Sequence, residues 1–232
     1  MLLPVLGRAK AKGVQIACLN NMHQLTVCWY MYAGDNHEEL VSNYIAGWPN
    51  WTGNAWILGN MANPSETMNE TFIRTGTLFP YNTSLGIYKC PADRVLARAL
   101  DPSYPHNLPH LRSYSIVGQM NGNADINGPN YPISRKFSDI RRPPPVKALV
   151  FVDEHPLSID DGYFAIQVEQ QTWQNFPATY HDRGDNLSFA DGHAEHWRWL
   201  EPNTLAIKSY YWPSVGPNDR DLTRVQAAVA TK

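Results

Sequence analysis

Apolar residues recur at helical spacing in one long stretch of the chain. Val14, Cys18, Met22, Leu25, Trp29 and Tyr32 follow one another at steps of four, four, three, four and three, which is one stripe of a helix. The stretch from about Val5 to Ala33 therefore predicts a helix about 43 Å long at ~1.5 Å per residue. Gly34 is placed to be its C-cap, with Asp35-Asn36 as the exit turn. Ahead of the stripe, Met1-Leu2-Leu3-Pro4-Val5-Leu6 is apolar and has no capping residue. It reads as the tail of a longer apolar helix in which Pro4 is a kink.

From Trp48 to about Arg142 the periodicity breaks down. X-Pro pairs at 63–64, 79–80, 90–91, 101–102, 104–105 and 128–129 interrupt it. Short helices are expected near Leu58–Ala62 and Glu66–Thr75, a short strand at Arg112–Val117, and a stiff connector at Arg141–Pro145. The pattern then turns to strands. Ala148–Val152 is a compact apolar run and Tyr163–Val168 a second strand. Leu187, Phe189, Ala194 and His196 flank Asp191-Gly192, a hairpin turn signal. Pro213–Lys232 reads as a loop-rich tail. The order predicts an α+β fold, a long helix on a small antiparallel sheet with long irregular loops.

Composition narrows the function classes. Of 232 residues, 43% are apolar, enough for a core. Only 17% are charged, with a net charge of −2, so the basic footprint of a nucleic-acid-binding protein is missing. No run of ~18 apolar residues is present to span a membrane. The low charge, eight Trp and 18 Pro tilt the reading toward an extracytoplasmic surface.

Cys18 and Cys28 lie ten residues apart on the predicted helix, about 15 Å, too far to bond to each other. Cys18 is on the buried stripe and Cys90 sits in a Tyr-Lys-Cys-Pro-Ala-Asp loop. A Cys18–Cys90 disulfide would staple the irregular middle to the helix; the alternative is three buried free thiols.

Acidic and histidine residues gather in two loops, 153–162 and 181–193. Asp153, Asp160, Asp161, Asp185 and Asp191 are candidate ligands for Ca²⁺, a hard cation that takes six to eight oxygens. Their spacing matches no EF-hand, and Asp-Gly pairs also serve simply as turns. A hydrolytic zinc site from His155, His181, His193 and Asp191 is a second possibility. His181 could instead be structural, donating to Asp191 or to a loop carbonyl. No His-Glu-x-x-His, Gly-x-Ser-x-Gly, P-loop or dinucleotide motif is present. Trp48, Trp51 and Trp56 could form a stacking platform for a sugar or solute, or fill the core.

His181, nine intervening residues, then Asp191-Gly192 resembles the H-X9-DG signature of a family of prepilin-like proteins. Cys18-Leu-Asn-Asn-Met-His-Gln-Leu, Met31-Tyr-Ala-Gly-Asp-Asn36, Tyr88-Lys-Cys-Pro-Ala-Asp93, Arg112-Ser-Tyr-Ser115 and Phe151-Val-Asp-Glu-His-Pro156 resemble other stretches of the same family, in order. The resemblance implies a pilin-like fold and a non-catalytic subunit of a type II secretion or pilus-like filament. Its partners would be other pilin-like subunits and the secretion or pilus machinery. Residues 1–34 would be the remnant of the pilin helix and 35–232 the head. The family's peptidase motif and most of its apolar helix do not occur here, so the resemblance implies a membrane-inserting part that is missing and a soluble head. Some major pseudopilins bind calcium near the C-terminal sheet, which supports the carboxylate reading.

Overall fold

In a computed structural model, the structure describes residues 2–43, 54–94, 96, 109–123, 132–207, 215–216 and 218–229. Helix α1 runs from Leu2 to Asp35. Cys18, Met22, Leu25 and Trp29 of the predicted stripe are fully buried, and Val14 and Tyr32 at its ends are half-buried. Gly34 lies inside α1 rather than capping it. The chain leaves the helix through His37 and Glu38, at φ 54° and 66°, with Glu38 N–H donating to Ala33 O.

Five strands follow: β1 (Tyr114–Val117), β2 (Leu149–Asp153), β3 (Tyr163–Phe164), β4 (Gly184–Phe189) and β5 (Ala194–Arg198). The sheet order is β3-β1-β2-β4-β5. The β1–β2, β2–β4 and β4–β5 pairs are antiparallel, but β1 and β3 pair in parallel. The sheet is therefore mixed, not antiparallel as the sequence pattern implied, because β3 joins the far side of β1 through a two-residue pairing. The predicted strand at Tyr163–Val168 ends at Phe164. Every residue of β2 is buried, as its unbroken apolar run requires. Both α1 and a C-terminal helix at Arg220–Val229 pack against it.

That C-terminal helix replaces part of the expected loop-rich tail. Leu222, Val225 and Val229 bury one face at helical spacing, and Asp219 accepts the N–H of Leu222 as an N-cap would. The short helix expected at Leu58–Ala62 is a set of turns, in which Asn60 Oδ1 takes the N–H of Ala62 away from a helical partner. The helix expected at Glu66–Thr75 shrinks to Thr71–Arg74. Among the described residues, no helix is long and apolar enough to cross a membrane.

Candidate functional site

β4 lies along α1 and holds the two ends of the H-X9-DG stretch apart. Six strand residues at ~3.3 Å cover about 20 Å. The twelve helical steps from Cys18 to Tyr30 cover about 18 Å. His181 precedes β4 and sits beside Cys18, whereas Asp191-Gly192 follows β4 at the far end. There, Gly192 O lies 3.0 Å from His23 Nδ1, and the Tyr30 hydroxyl donates to Ala190 O. Between the ends, Thr26 donates to Ser188 Oγ at 2.9 Å, and Asn186 Nδ2 donates to Gln15 O at 3.2 Å. The stretch from His181 to Gly192 is thus a strand held against a helix at both ends, and His181 does not donate to Asp191.

Each end has its own local device. Asp182 and Arg183 adopt φ 47° and 60° to turn the chain into β4. A Cβ at Gly184 would collide with the Trp197 carbonyl and the His196 ring. His196 Nε2 lies 2.6 Å from His181 O and fixes the turn. At the other end Gly192 takes φ 98°, and Asp191 Oδ1 accepts His193 N–H at 3.2 Å. The same oxygen lies 2.5 Å from His193 Nδ1, so Asp191 acts as a turn residue.

The chemistry concentrates at the His181 end. Cys18 from α1, Cys90 from the middle loop, Asp153 from the end of β2 and His181 bring one donor atom each to within 4.8 Å of one another, and all four residues are buried. Cys90 Sγ is 3.2 Å from His181 Nε2, Cys18 Sγ is 3.6 Å from Asp153 Oδ2, and His181 Nε2 is 3.9 Å from the same oxygen. Tyr114, paired with Asp153 across β1 and β2, donates its hydroxyl to Cys18 Sγ at 3.3 Å. Asp153 Oδ1 has no hydrogen-bond partner.

Electrostatics make the two thiols unlike. Burial acts to raise the Cys18 thiol, but hydrogen bonds with Cys90 and His181 outweigh it and pull the thiol well below its ordinary value. Burial pushes Cys90 up, and Cys18 and Asp153 push it further. Burial, then the charges of Cys18 and Asp185, hold the Asp153 carboxyl well above the usual carboxylate range. A cleft of about 770 Å³ reaches this end of the molecule, lined in part by Lys12, Gln15, Ala92, Arg94, Tyr180 and His181.

The expected Cys18–Cys90 pair is thus brought together, but as free thiols rather than as a disulfide, with His181 Nε2 against Cys90. Cys28 is also free and buried. The five carboxylates considered for calcium do not gather into one group among the described residues. Asp160 and Asp161 bond the chain ahead of them, through Asp161 N–H and Tyr163 N–H. Their carbonyls hold the buried guanidinium of Arg112. Asp185 lies in β4 and Asp191 in the turn. His155 and His193 do not join His181 in a zinc site either, because His193 stays with Asp191 at the opposite end of β4.

Sequence reasoning missed Cys90 and Asp153 as partners of His181. The one available signal was that both cysteines and the His-X9 stretch fall in segments resembling the same family. Trp56 is fully buried, stacks on Tyr88 and donates to Gly162 O, so it offers no platform to a sugar. Trp48 and Trp51 lie outside the described residues. No known protein family, curated protein or solved structure matches the chain.

Proposed function

We propose that this chain is the head and helix of a pilin-like structural subunit, non-catalytic, which assembles outside the cytoplasm with other pilin-like subunits in a type II secretion or pilus-like filament. The observation that carries the reading is the second face of α1. Val5, Ile16, Val27 and Met31 are 63%, 56%, 41% and 49% exposed. At ~100° per residue they fall in a sector about 80° wide, opposite the buried stripe of Cys18, Met22, Leu25 and Trp29. A row of large apolar side chains along the outside of a helix is a contact surface. Residues 4–13 are exposed throughout, so the first turns carry this row out to solvent. The H-X9-DG stretch clamps the rest of α1 to the sheet, so a load on the helix reaches the head directly.

A photo-crosslinking amino acid at Ile16 or Val27, in the protein expressed in its own host, tests this. Adducts with a second copy or with another pilin-like subunit are expected from both positions, and none from Leu200, which is exposed outside α1. If neither Ile16 nor Val27 gives such adducts, the helix is not an assembly surface and the reading fails.

A further inference from the structure

We propose that Cys18, Cys90, Asp153 and His181 form a four-coordinate site for a divalent transition metal, zinc by choice of donors. The inference stands independently of the assembly role.

The geometry fits the ion. In a tetrahedral zinc site with Zn–S near 2.3 Å and Zn–N and Zn–O near 2.0 Å, neighbouring donors are about 3.3–3.8 Å apart. The sulfur–nitrogen and sulfur–oxygen separations quoted above, 3.2 and 3.6 Å, lie within a few tenths of the ~3.5 Å such a site needs, and the nitrogen–oxygen separation of 3.9 Å has to close by about 0.6 Å. The remaining donor pairs, all within 4.8 Å, close by about 1.3 Å at most. Two sulfurs, an imidazole and one carboxylate are a borderline-soft set that suits zinc rather than calcium or magnesium.

Hydrogen bonding among the four residues leaves the site unfinished. Asp153 is fully buried, yet one oxygen has no partner, and the group otherwise meets only the Cys18 and Cys90 thiols and, at 3.9 Å, the His181 ring. A buried carboxyl group with one oxygen left unpartnered costs stability, and a cation held at the carboxyl would offset that cost. A metal would accept electron pairs from both sulfurs, the ring nitrogen and the carboxylate at once. Tyr114 is placed as an outer partner, its hydroxyl already aimed at Cys18 Sγ. The cleft that reaches His181 supplies a way in.

A nucleophilic triad is the competing use of Cys, His and Asp, and the geometry opposes it. Such a triad needs the carboxylate on the ring nitrogen away from the nucleophile. Here Asp153 and Cys90 both approach Nε2 of His181, and Cys90 is fully buried. Four closed protein ligands define a structural site, which ties α1, the middle loop, β2 and the start of β4 together at one point.

Metal analysis of the full chain isolated without chelator, together with the absorption spectrum of the chain reloaded with cobalt(II), tests the proposal. About one zinc per chain is expected, and a cobalt form showing thiolate charge-transfer bands and tetrahedral visible bands. In chelator competition, Asp153→Asn and His181→Gln should weaken zinc binding by more than about 100-fold, and Tyr114→Phe by about 10-fold. The wild-type cobalt spectrum needs no substitution, so it decides the matter even if a variant fails to fold. A reduced, folded chain that takes up no zinc, a cobalt spectrum without sulfur bands, or a Cys18–Cys90 disulfide in freshly isolated protein would each overturn the site.

Discussion

Two buried carboxylate–histidine centres lie side by side in this molecule, built from adjacent residues, and only one of them is complete. Tyr180, Ser113 and Asp93 serve the first. His181, Tyr114 and Cys90 serve the second, each one to three positions along the chain. Ser113 and Tyr114 lie on extended backbone, where successive side chains point to opposite faces. Turns place Tyr180 beside His181 and Asp93 three residues after Cys90, so the same segments feed both centres. In the first, Asp93 Oδ2 accepts Ser113 Oγ–H at 2.5 Å and His110 Nε2 at 2.7 Å, and Oδ1 accepts Tyr180 O–H at 3.2 Å. Both carboxylate oxygens have partners. In the second, Asp153 Oδ2 meets the Cys18 thiol at 3.6 Å, and Oδ1 has no partner. The same kinds of group give a closed polar network in one place and a set of converging lone pairs in the other, and only the closed network stabilises the fold without help.

The largest break in that comparison comes from the complete centre. Asp93→Ala leaves His110, Ser113 and Tyr180 buried without their acceptor and should cost about 4 kcal/mol in urea unfolding at neutral pH. Its pH dependence has a definite sign. Burial acts to raise the Asp93 carboxyl, but the hydrogen bond and charge of His110, then the Ser113 hydroxyl, hold it below its usual 3.8. The stability this supplies is present in full above 3.8 and is lost as pH falls through the folded value. The variant should therefore lose part of the wild-type acid limb, and an unchanged limb would place the cause elsewhere.

Asp153→Asn is the sharper contrast. It touches only weak thiol hydrogen bonds, so the metal-free chain should lose less than about 1 kcal/mol in the same measurement. A loss as large as that of Asp93→Ala would make the two centres equivalent and erase the distinction. The smallest effect belongs to the exposed pair at the far end of β4. Burial acts to raise Asp191, but the hydrogen bonds and charge of His193 together outweigh it and pull the carboxyl below its ordinary value. The two side chains are 34% and 37% exposed, so solvent screens them. Asp191→Asn should change stability by no more than about 0.5 kcal/mol, read by thermal denaturation.

The sequence carried the elements with strong periods and lost those whose order depends on distant partners. The α1 stripe and the Asp191-Gly192 hairpin are local patterns, and both are present. The nearness of Cys18 and Cys90 was legible because one lay on a buried stripe and the other in a loop that needed an anchor. Asp153 was assigned to an acidic loop because Glu154 and His155 follow it. Nothing in that string shows that Asp153 is the last residue of a strand buried on both faces, facing Cys18. The sequence pattern couples His181 with Asp191 across nine intervening residues, but the strand β4 separates the two. The C-terminal helix was legible in Leu222, Val225 and Val229, and the prolines and glycines ahead of it hid the pattern.

The clamp between β4 and α1 bears on how the chain can change length. A strand advances about 3.3 Å per residue and alternates faces, whereas a helix advances about 1.5 Å and turns about 100°. One residue inserted within β4 would turn Asn186 and Ser188 away from Gln15 and Thr26 and carry the turn past His23. One residue inserted between Cys18 and Tyr30 would rotate one set of helix contacts out of register with the other. Neither change can be compensated by the other, since the two elements have different repeats. Insertions and deletions are thereby confined to the connecting loops, and the nine-residue interval between His181 and Asp191 becomes a fixed length.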